Sequence, residues 1–384
     1  MGLLTTTLPD FPWDTLAAAT ATARAHPRGI VDLSVGTPVD PTPEVVRQAL
    51  AQAADAPGYP TTHGTPELRE AVVRWFARRR GVRGLDSDAV LPTVGSKELV
   101  ALLPSLLGLG RGDVVLHPLV AYPTYDVGAR LAGASAEPCA DPAARLAADE
   151  DGAVRLVWLN SPGNPDGAVL DVAALSAVVE AARAASARHG RSVVIASDEC
   201  YAELAWDEPW ASGGVPSLLD PRASGGDLTG LLALSSLSKR SNLAGYRAAF
   251  AAGDPAVIAA LLEVRKHAGL MVPGPVQAAM VAALDDDEHV ATQCARYARR
   301  RRVLRAAFEE AGYQVDGSPA GLYLWLRPAG GPQDAHATVN DLASLGILVA
   351  PGTFYGEAGA GHVRVALTAS DERVAEAAAR LTGA

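Results

Sequence analysis

Short apolar segments alternate with helical segments along most of the chain, and this alternation limits its fold more than any other feature. Five runs are almost continuously hydrophobic, as in strands buried on both faces: Val114–His117, Leu156–Leu159, Val193–Ala196, Leu231–Ser235 and Ala248–Ala251. Helical patterns lie between them. The alternation predicts an α/β fold in which helices cover both faces of a mostly parallel sheet.

The ends of three helices can be predicted from their terminal residues. Thr65–Arg80 and Asp254–His267 each begin with a capping side chain followed by proline. Asp171–His189 begins with a capping aspartate and stops at Gly190. These helices would cover the strands that lie between them in sequence.

The pattern changes after about residue 280. An Arg-rich helix is predicted from Asp287 to Gly312, with its arginines on a solvated face, and short strands follow at Leu322–Leu326, Ile347–Ala350 and Val363–Leu367. This pattern is typical of a smaller α+β domain. We therefore predict an N-terminal arm with part of the small domain (residues 1–48), a large domain (49–277) and a C-terminal small domain (278–384).

Composition excludes several classes of protein. The 384 residues carry a formal net charge of −10, which argues against a general nucleic-acid binder. No apolar run is long enough to span a membrane. The cysteines, Cys139, Cys200 and Cys294, are few, widely spaced and without metal-type spacing, so we expect no metal site and a cytoplasmic protein without disulfides.

Lysine is unusually rare in this chain. Only Lys97, Lys239 and Lys266 occur, and arginine supplies all the other basic side chains. An amine can lose its proton and act as a nucleophile, whereas a guanidinium cannot. The scarcity of lysine therefore makes these three lysines candidates for a role that arginine could not fill.

Polar side chains follow several of the predicted strands. Lys239 and then Arg247 come after the strand at Leu231–Ser235, and Asp198 follows the strand at Val193–Ala196. The turn-rich loop from Asn160 to Gly167 follows another strand. Because ligands of parallel α/β sheets collect at the carboxyl ends of strands, these groups should meet at one edge.

Together these segments resemble fold-type I enzymes that depend on pyridoxal phosphate, specifically the class I/II aminotransferases. The matching motifs are Asn164-Pro165-Asp166-Gly167, Ser197–Tyr201 and Ser236–Arg247, with an arginine in the late strand Val363-Arg364-Val365. The resemblance implies a large domain with a mostly parallel sheet, a smaller α+β domain, pyridoxal 5′-phosphate as cofactor and small amino and oxo acids as substrates.

The resemblance also implies roles around the cofactor ring. Lys239 would hold the cofactor as a Schiff base and then move the proton of the reaction. Asp198 would pair with the pyridine nitrogen and keep it protonated. Asn164 and Tyr201 would hydrogen-bond the phenolate oxygen, and Tyr125 would stack on the ring.

The phosphate group requires several converging donors. Gly95-Ser96-Lys97 follows the strand-like Val90–Val94 and opens a helix, whose N-terminal N–H groups attract anions. The expected phosphate-binding residues are therefore Gly95, Ser96, Lys97, Ser236 and Arg247. By resemblance, Tyr59 would reach the phosphate of a neighbouring subunit, which implies a homodimer with shared sites.

Resemblance to N-succinyldiaminopimelate aminotransferases extends over essentially the whole chain, notably at Leu8–Asp14, Gly58–Arg69 and Val264–Pro273. It implies transfer between glutamate and N-succinyl-2-amino-6-oxopimelate in lysine biosynthesis. Arg364, Gly36 and Asn164 would bind the α-carboxylate end of the substrate. Six cations are candidates for the distal carboxylates, with Lys266 or Lys97 expected among them: Arg69, Lys97, Arg240, Arg265, Lys266 and His267.

Several alternatives remain open at this point. One alternative is transfer of the amino group of LL-diaminopimelate, aspartate or alanine, although no second arginine for an aspartate side chain is evident. A lyase or decarboxylase would use the same cofactor. Ser236-x-x-Lys239 also fits the pattern of an acyl-serine enzyme. A non-catalytic cofactor sensor is a further alternative.

Overall fold

The structure is a computed structural model and describes residues 8–331 and 334–383. Its strands in chain order are β1 (Val31–Asp32), β2 (Val90–Val94), β3 (Val114–His117), β4 (Ser135–Pro138), β5 (Val154–Asn160), β6 (Val194–Asp198), β7 (Leu231–Ser236), β8 (Ala248–Gly253), β9 (Tyr313–Val315), β10 (Tyr323–Pro328), β11 (Ile347–Leu348), β12 (Ala350–Pro351) and β13 (Val363–Ala366). Its α-helices are α1 (Ala17–Ala25), α2 (Glu44–Gln52), α3 (Pro66–Arg79), α4 (Ser96–Leu106), α5 (Thr124–Ala132), α6 (Pro142–Ala147), α7 (Val172–His189), α8 (Trp210–Gly213), α9 (Pro221–Ser224), α10 (Leu237–Arg240), α11 (Pro255–Ala268), α12 (Gly274–Asp285), α13 (Glu288–Glu310), α14 (Ala335–Ser344) and α15 (Asp371–Thr382).

The large sheet has seven strands in the order β2-β8-β7-β6-β5-β3-β4. β8 runs antiparallel to both of its neighbours, and the remaining neighbouring pairs are parallel. The predicted α/β fold with a mostly parallel sheet is confirmed. Because β8 is antiparallel to both β2 and β7, β2 runs in the same direction as β7, and Val94 at the end of β2 pairs with Ala248 at the start of β8. The carboxyl ends of β2, β5, β6 and β7 therefore lie at one edge of the sheet.

The predicted capping residues begin the helices as expected. The Thr65 side chain accepts a hydrogen bond from the N–H of Leu68 at the start of α3, and Asp171 does the same for Ala174 in α7. Asp254 caps α11 by accepting from the N–H of Ala256. Each of these side chains satisfies a backbone donor that the first helical turn leaves unpaired.

Alternate residues of the large sheet enter separate cores on its two faces. In β7, Leu231 and Ala233 pack into the core that also contains Trp75 of α3, whereas Leu232 and Leu234 pack on the other face. The period of two in a strand produces this division. Burial on both faces explains why these strands are hydrophobic throughout.

A further core joins the two ends of the chain. Leu33, near β1, packs with Phe308 of α13 and Leu324 of β10. A four-stranded sheet in the order β12-β13-β10-β9 and the parallel pair β1-β11 border this core. The predicted boundary between residues 277 and 278 falls inside α12, whose later residues, including Met280, lie in the core of the large sheet.

The expectation that the arginines of α13 form a solvated face is wrong for two of them. Arg300 is buried and pairs with Asp40 and Asp371, and Arg301 is buried and pairs with Asp207. A buried guanidinium requires carboxylate partners, and these partners lie far away in sequence. The charge pattern along one helix therefore did not reveal them.

Candidate active site

A cavity of about 550 Å³ opens at the carboxyl ends of the central strands. Strands β6 and β7 deliver Asp198 and the segment Ser236–Lys239 to its wall, and the late strand β13 delivers Arg364. The predicted site residues that line it together are Gly36, Ser96, Lys97, Asn164, Asp198, Tyr201, Ser236, Lys239, Arg247 and Arg364.

The amine of Lys239 faces this cavity from α10, one turn beyond the end of β7. Its Nζ donates a hydrogen bond to the carbonyl oxygen of Gly36. Burial lowers the pKa of the Lys239 amine, and the positive charges of Arg364 and Arg247 lower it further. The neutral, nucleophilic form of the amine is therefore favoured relative to that of an exposed lysine.

Asp198 is a buried carboxyl at the end of β6. It accepts hydrogen bonds from the hydroxyl of Tyr125 at 3.0 Å and from the backbone N–H of Cys200 at 3.2 Å. Burial raises its pKa, although these donors act in the opposite direction. Since it forms no salt bridge with any residue in 8–331 or 334–383, the carboxylate is suited to a cationic ligand group in the cavity.

The structure corrects the position expected for Tyr125. Its ring is fully buried, stacks on Trp158 with centroids 5.0 Å apart, and supports Asp198 rather than lining the cavity. Tyr122, three residues earlier, lines the cavity instead. The two rings pack edge to face, with centroids 6.0 Å apart and ring planes at 88°. The motif alone did not distinguish the two rings.

The hydroxyls of Ser96 and Ser236 and the guanidinium of Arg247 line the cavity. Gly95, also expected at the phosphate, does not line it, and its N–H donates to the carbonyl oxygens of Thr93 and Arg247, each at 2.8 Å. Gly95 has φ of 76°, and a Cβ at this position would collide with the guanidinium of Arg247. Ser96 begins α4 directly after it. Ser236 donates to the hydroxyl of Ser238 at 2.8 Å, which adds a residue that the sequence analysis missed. This donor set suits a phosphate group.

Arg364 also lines the cavity. Its two terminal nitrogens donate to Oδ1 of Asn164 at 2.9 Å and to the carbonyl oxygen of Ser34 at 2.6 Å. Its Nε is buried and has no partner among the described residues. The guanidinium lies 3.9 Å from the ring centroid of Tyr323 and 5.0 Å from that of Tyr355. A desolvated guanidinium of this kind is suited to bind a carboxylate.

The sequence did not identify several aromatic residues that line the cavity. Tyr323 in β10 lines the wall, and Phe11, Trp13 and Tyr122 line the mouth. The amine of Lys97 lies 5.6 Å from the ring centroid of Phe11 and 5.8 Å from that of Tyr122. Tyr323 is a diagonal neighbour of Arg364 because Trp325 pairs with Arg364 directly. The register of β10 and β13 brings Tyr323 close to Arg364, and the sequence alone does not show this register.

Most of the candidate cations for distal carboxylates lie outside the cavity. Arg240 and Arg265 are buried in salt bridges with Glu203 and Glu98, respectively. Two more of the candidates also form salt bridges away from the cavity: Arg69 pairs with Asp88, and Lys266 pairs with Glu263. Of the six candidates only Lys97 lines the cavity. Tyr59 is 96% exposed and also lies outside it.

Comparison with known proteins is consistent with this geometry. Residues 28–381 match the family model described as aminotransferase class I and II. A transaminase of 4-dedimethylamino-4-oxo-anhydrotetracycline from Streptomyces rimosus is 56% identical over 98% of this chain and 99% of the relative. A probable aminotransferase from Mycobacterium tuberculosis is 57% identical over 99% of this chain and 87% of the relative.

A solved structure is also similar over nearly the whole chain. The probable N-succinyldiaminopimelate aminotransferase from Thermus thermophilus superimposes with a TM-score of 0.82 and is 30% identical, covering 97% of this chain and 100% of that one. The two relatives above share considerably more identity with the chain. The predicted resemblance to the family is therefore confirmed, while the subtype has more than one candidate.

The fold, the cavity and the family match define an aminotransferase that depends on pyridoxal 5′-phosphate. The chain belongs to the class I/II aminotransferase family. This membership removes the support for Ser236 as the nucleophile of an acyl-serine enzyme. Within residues 8–331 and 334–383, no helix combines the length and apolarity that a bilayer crossing requires.

Proposed function

We propose that this aminotransferase transfers the amino group of glutamate to N-succinyl-2-amino-6-oxopimelate, giving N-succinyl-LL-2,6-diaminopimelate and 2-oxoglutarate. The observation that carries the proposal is the position of two groups in one cavity: the amine of Lys239 and the partly unpaired guanidinium of Arg364. The first suits amine chemistry and the second suits an α-carboxylate. An α-amino acid or 2-oxo acid satisfies both.

The residues of the cavity fit pyridoxal 5′-phosphate. Asp198 is a buried carboxylate without a cationic partner among the described residues, as a pyridinium nitrogen requires. Ser96, Ser236 and Arg247 also line the cavity and provide donors for the phosphate. When bound, the cofactor supplies a carbonyl carbon that takes up amino groups and a ring that accepts electrons.

The chain's own side chains perform the remaining tasks. Lys239 holds the cofactor and, once free, moves a proton at the substrate's α-carbon, for which its lowered pKa is suitable. Tyr201 and Asn164 provide donors toward the phenolic oxygen of the cofactor. Arg364 fixes the α-carboxylate beside the backbone of Gly36, so the α-carbon is oriented toward Lys239.

Lys97 is our candidate for a distal carboxylate of the substrate. Its amine lies at the cavity mouth between the rings of Phe11 and Tyr122 and is exposed, without a carboxylate partner among residues 8–331 and 334–383. A succinylated substrate carries a carboxylate far from its α-carbon, so it requires a second cation in addition to Arg364. The other predicted cation, Lys266, has a carboxylate partner of its own.

We further propose a cytoplasmic homodimer. A tyrosine that is 96% exposed leaves most of its apolar ring in water. Contact with a second subunit would bury this ring and so take it out of water. This exposure supports the proposed role of Tyr59 at the phosphate of the neighbouring subunit. The free cysteines Cys139, Cys200 and Cys294 suit a reducing compartment.

A second substrate class is favoured by the aromatic mouth of the cavity. Phe11, Trp13 and Tyr122 could stack on a flat cyclic ketone, and the relative from Streptomyces rimosus is named for such a substrate. A ketone without an α-carboxylate would leave Arg364 without a ligand. The two substrate classes therefore differ in whether Arg364 contributes to binding.

A single-turnover absorbance experiment distinguishes these functions. The holoenzyme is mixed in separate cuvettes with N-succinyl-LL-diaminopimelate, LL-diaminopimelate, L-aspartate and L-alanine, and with the amino form of a tetracycline-type ketone. Rapid loss of the band of the lysine-bound cofactor with the succinylated compound alone is the expected result. If only another amine causes loss of this absorbance band, the protein is still an aminotransferase, but the proposed substrate is wrong. If the enzyme exchanges the α-hydrogen of an added amine but the absorbance band does not disappear, the protein catalyses a different reaction with the same cofactor.

A further inference from the structure

Two buried phenol groups meet beside the cofactor cavity. Tyr201 follows β6, Tyr323 begins β10, and their hydroxyl oxygens are 3.2 Å apart. Their rings are nearly perpendicular, with centroids 5.7 Å apart. Both side chains line the cavity. A hydrogen bond between two phenols has a direction, because only one of the two hydrogens can lie between the oxygens.

The charges around the pair favour one direction. The guanidinium of Arg364 lies 3.9 Å from the ring centroid of Tyr323, and the Lys239 amine donates to Gly36, which Tyr323 contacts so closely that a Cβ would collide with its ring. Nearby positive charge makes a phenol a stronger donor. Because Arg364 packs directly on the ring of Tyr323, Tyr323 is the stronger donor and Tyr201 is the acceptor.

We propose that Tyr323 is a positioning residue, which donates its hydroxyl hydrogen to Tyr201 and thereby directs the hydrogen of Tyr201 to the phenolic oxygen of the cofactor. The inference rests on the proposed function of Tyr201 and deepens it. Tyr323 acts through Tyr201. Two donors in series polarise each other, so the outer phenol strengthens the bond that the inner one makes.

The electrostatics of the two phenols agree with this direction. Burial alone would raise the pKa of Tyr323, but nearby positive charge, chiefly that of Arg364, acts in the opposite direction, and the pKa lies below its ordinary value. Burial raises the pKa of Tyr201 well above its ordinary value, and the neighbouring Tyr323 adds to the effect. The charged or titratable groups that face Tyr323 are Tyr201, Arg364, Lys239, Asp198 and Tyr355.

A purely structural role for Tyr323 makes a different prediction. Its ring packs against Arg364 and Gly36, and phenylalanine keeps that ring. Tyr355 offers a matched control: its ring also lies near Arg364, at 5.0 Å, but its buried hydroxyl has no hydrogen-bond partner among the described residues. Only the hydroxyl of Tyr323 is connected to Tyr201.

The test is a pH titration of the absorption spectrum of the substrate-free holoenzyme. It compares the wild type with Tyr201→Phe, Tyr323→Phe and Tyr355→Phe. Donors to the phenolic oxygen stabilise its negative charge and lower the midpoint, so their loss raises it. We expect Tyr201→Phe to raise the midpoint by about 1 pH unit and Tyr323→Phe by about 0.3 pH unit. Tyr355→Phe should leave it in place.

Each outcome decides the inference. A midpoint in Tyr323→Phe equal to that of the wild type, or one that falls, overturns the proposed donor. Equal shifts in Tyr323→Phe and Tyr355→Phe would mean that any loss of a buried phenol disturbs the site, which also overturns it. If the wild type has no pH-dependent cofactor band, or Tyr201→Phe leaves the midpoint unchanged, the proposed function of Lys239 or Tyr201 fails first.

Discussion

The hydroxyl of Tyr125 lies 3.0 Å from the carboxylate of Asp198 and is buried behind it, outside the cavity. Asp198 is thus held by a donor that a ligand does not displace. Burial raises the pKa of Asp198, and the hydrogen bond from Tyr125 lowers it. The hydrogen bond from Tyr125 therefore favours the ionised carboxylate, which is the form that a cationic ring nitrogen requires.

Tyr125→Phe should shift the acidic limb of the pH–activity profile. Without the donor, the pKa of Asp198 rises further, so the carboxylate is lost at a higher pH as the solution is acidified. We expect the acidic limb of kcat to move upward by about 1 pH unit, because a hydrogen bond to a charged group is worth roughly 1.5–3 kcal/mol. Tyr313→Phe, in β9 outside the cavity, serves as the control. An unshifted limb in Tyr125→Phe would contradict the proposed support.

Arg364→Lys tests the binding of the α-carboxylate. A lysine keeps the charge but loses the planar fork that binds a carboxylate through two nitrogens, and it also loses the bonds to Asn164 and Ser34. We expect KM for an α-amino acid to rise about a hundredfold. The same change at Arg299, an exposed partner of Asp371, should alter KM little. Equal KM values in the two variants would exclude Arg364 from substrate binding.

Lys97→Ala and Lys266→Ala separate the two lysines proposed for the distal carboxylate. Lys97 lies at the cavity mouth, whereas Lys266 pairs with Glu263 outside it. We expect Lys97→Ala to raise KM for the succinylated substrate by about tenfold, the loss of roughly 1.4 kcal/mol. Lys266→Ala should leave this KM unchanged. The hypothesis fails if KM for the succinylated substrate stays at its wild-type value in both variants.

Arg265→Ala should affect stability more than substrate binding. Its fully buried guanidinium forms two hydrogen bonds with Glu98 at 2.6 and 3.1 Å, so truncation leaves a carboxylate without its partner. Such a loss costs about 3–5 kcal/mol. Denaturant unfolding should detect it, with Arg74→Ala, which breaks a surface pair with Asp285, costing less than about 1 kcal/mol. Comparable losses in the two variants would contradict this account.

The sequence predicted the large sheet well because burial on both faces makes its strands continuously hydrophobic. Asp198 and Lys239 could be located for the same reason, since each follows such a strand. The aromatic wall could not, because Tyr323 approaches Arg364 only through the register of β10 and β13. The motif predicts that Tyr125 stacks on the cofactor ring, whereas Tyr125 is buried against Asp198 and Tyr122, three residues earlier, lines the cavity.

The long-range ion pairs also escaped prediction. Arg300 of α13 binds Asp40 and Asp371, which are distant in sequence, and charge patterning records only neighbours along one helix. Similarly, the sequence makes Arg265 a candidate for substrate binding, whereas in the fold its guanidinium pairs with Glu98. Local sequence indicates that a basic residue is present, whereas only the tertiary structure indicates which acid neutralises it.

Reductive labelling tests the central claim most directly. The holoenzyme is treated with borohydride, which makes the bond between an amine and the cofactor permanent, and its peptides are then analysed by mass spectrometry. With only three lysines in the chain, the outcome is unambiguous. The account predicts the cofactor mass on Lys239 alone, with no label in Lys239→Ala. Label on Lys97 or Lys266 in the wild type, or on no lysine at all, would contradict it.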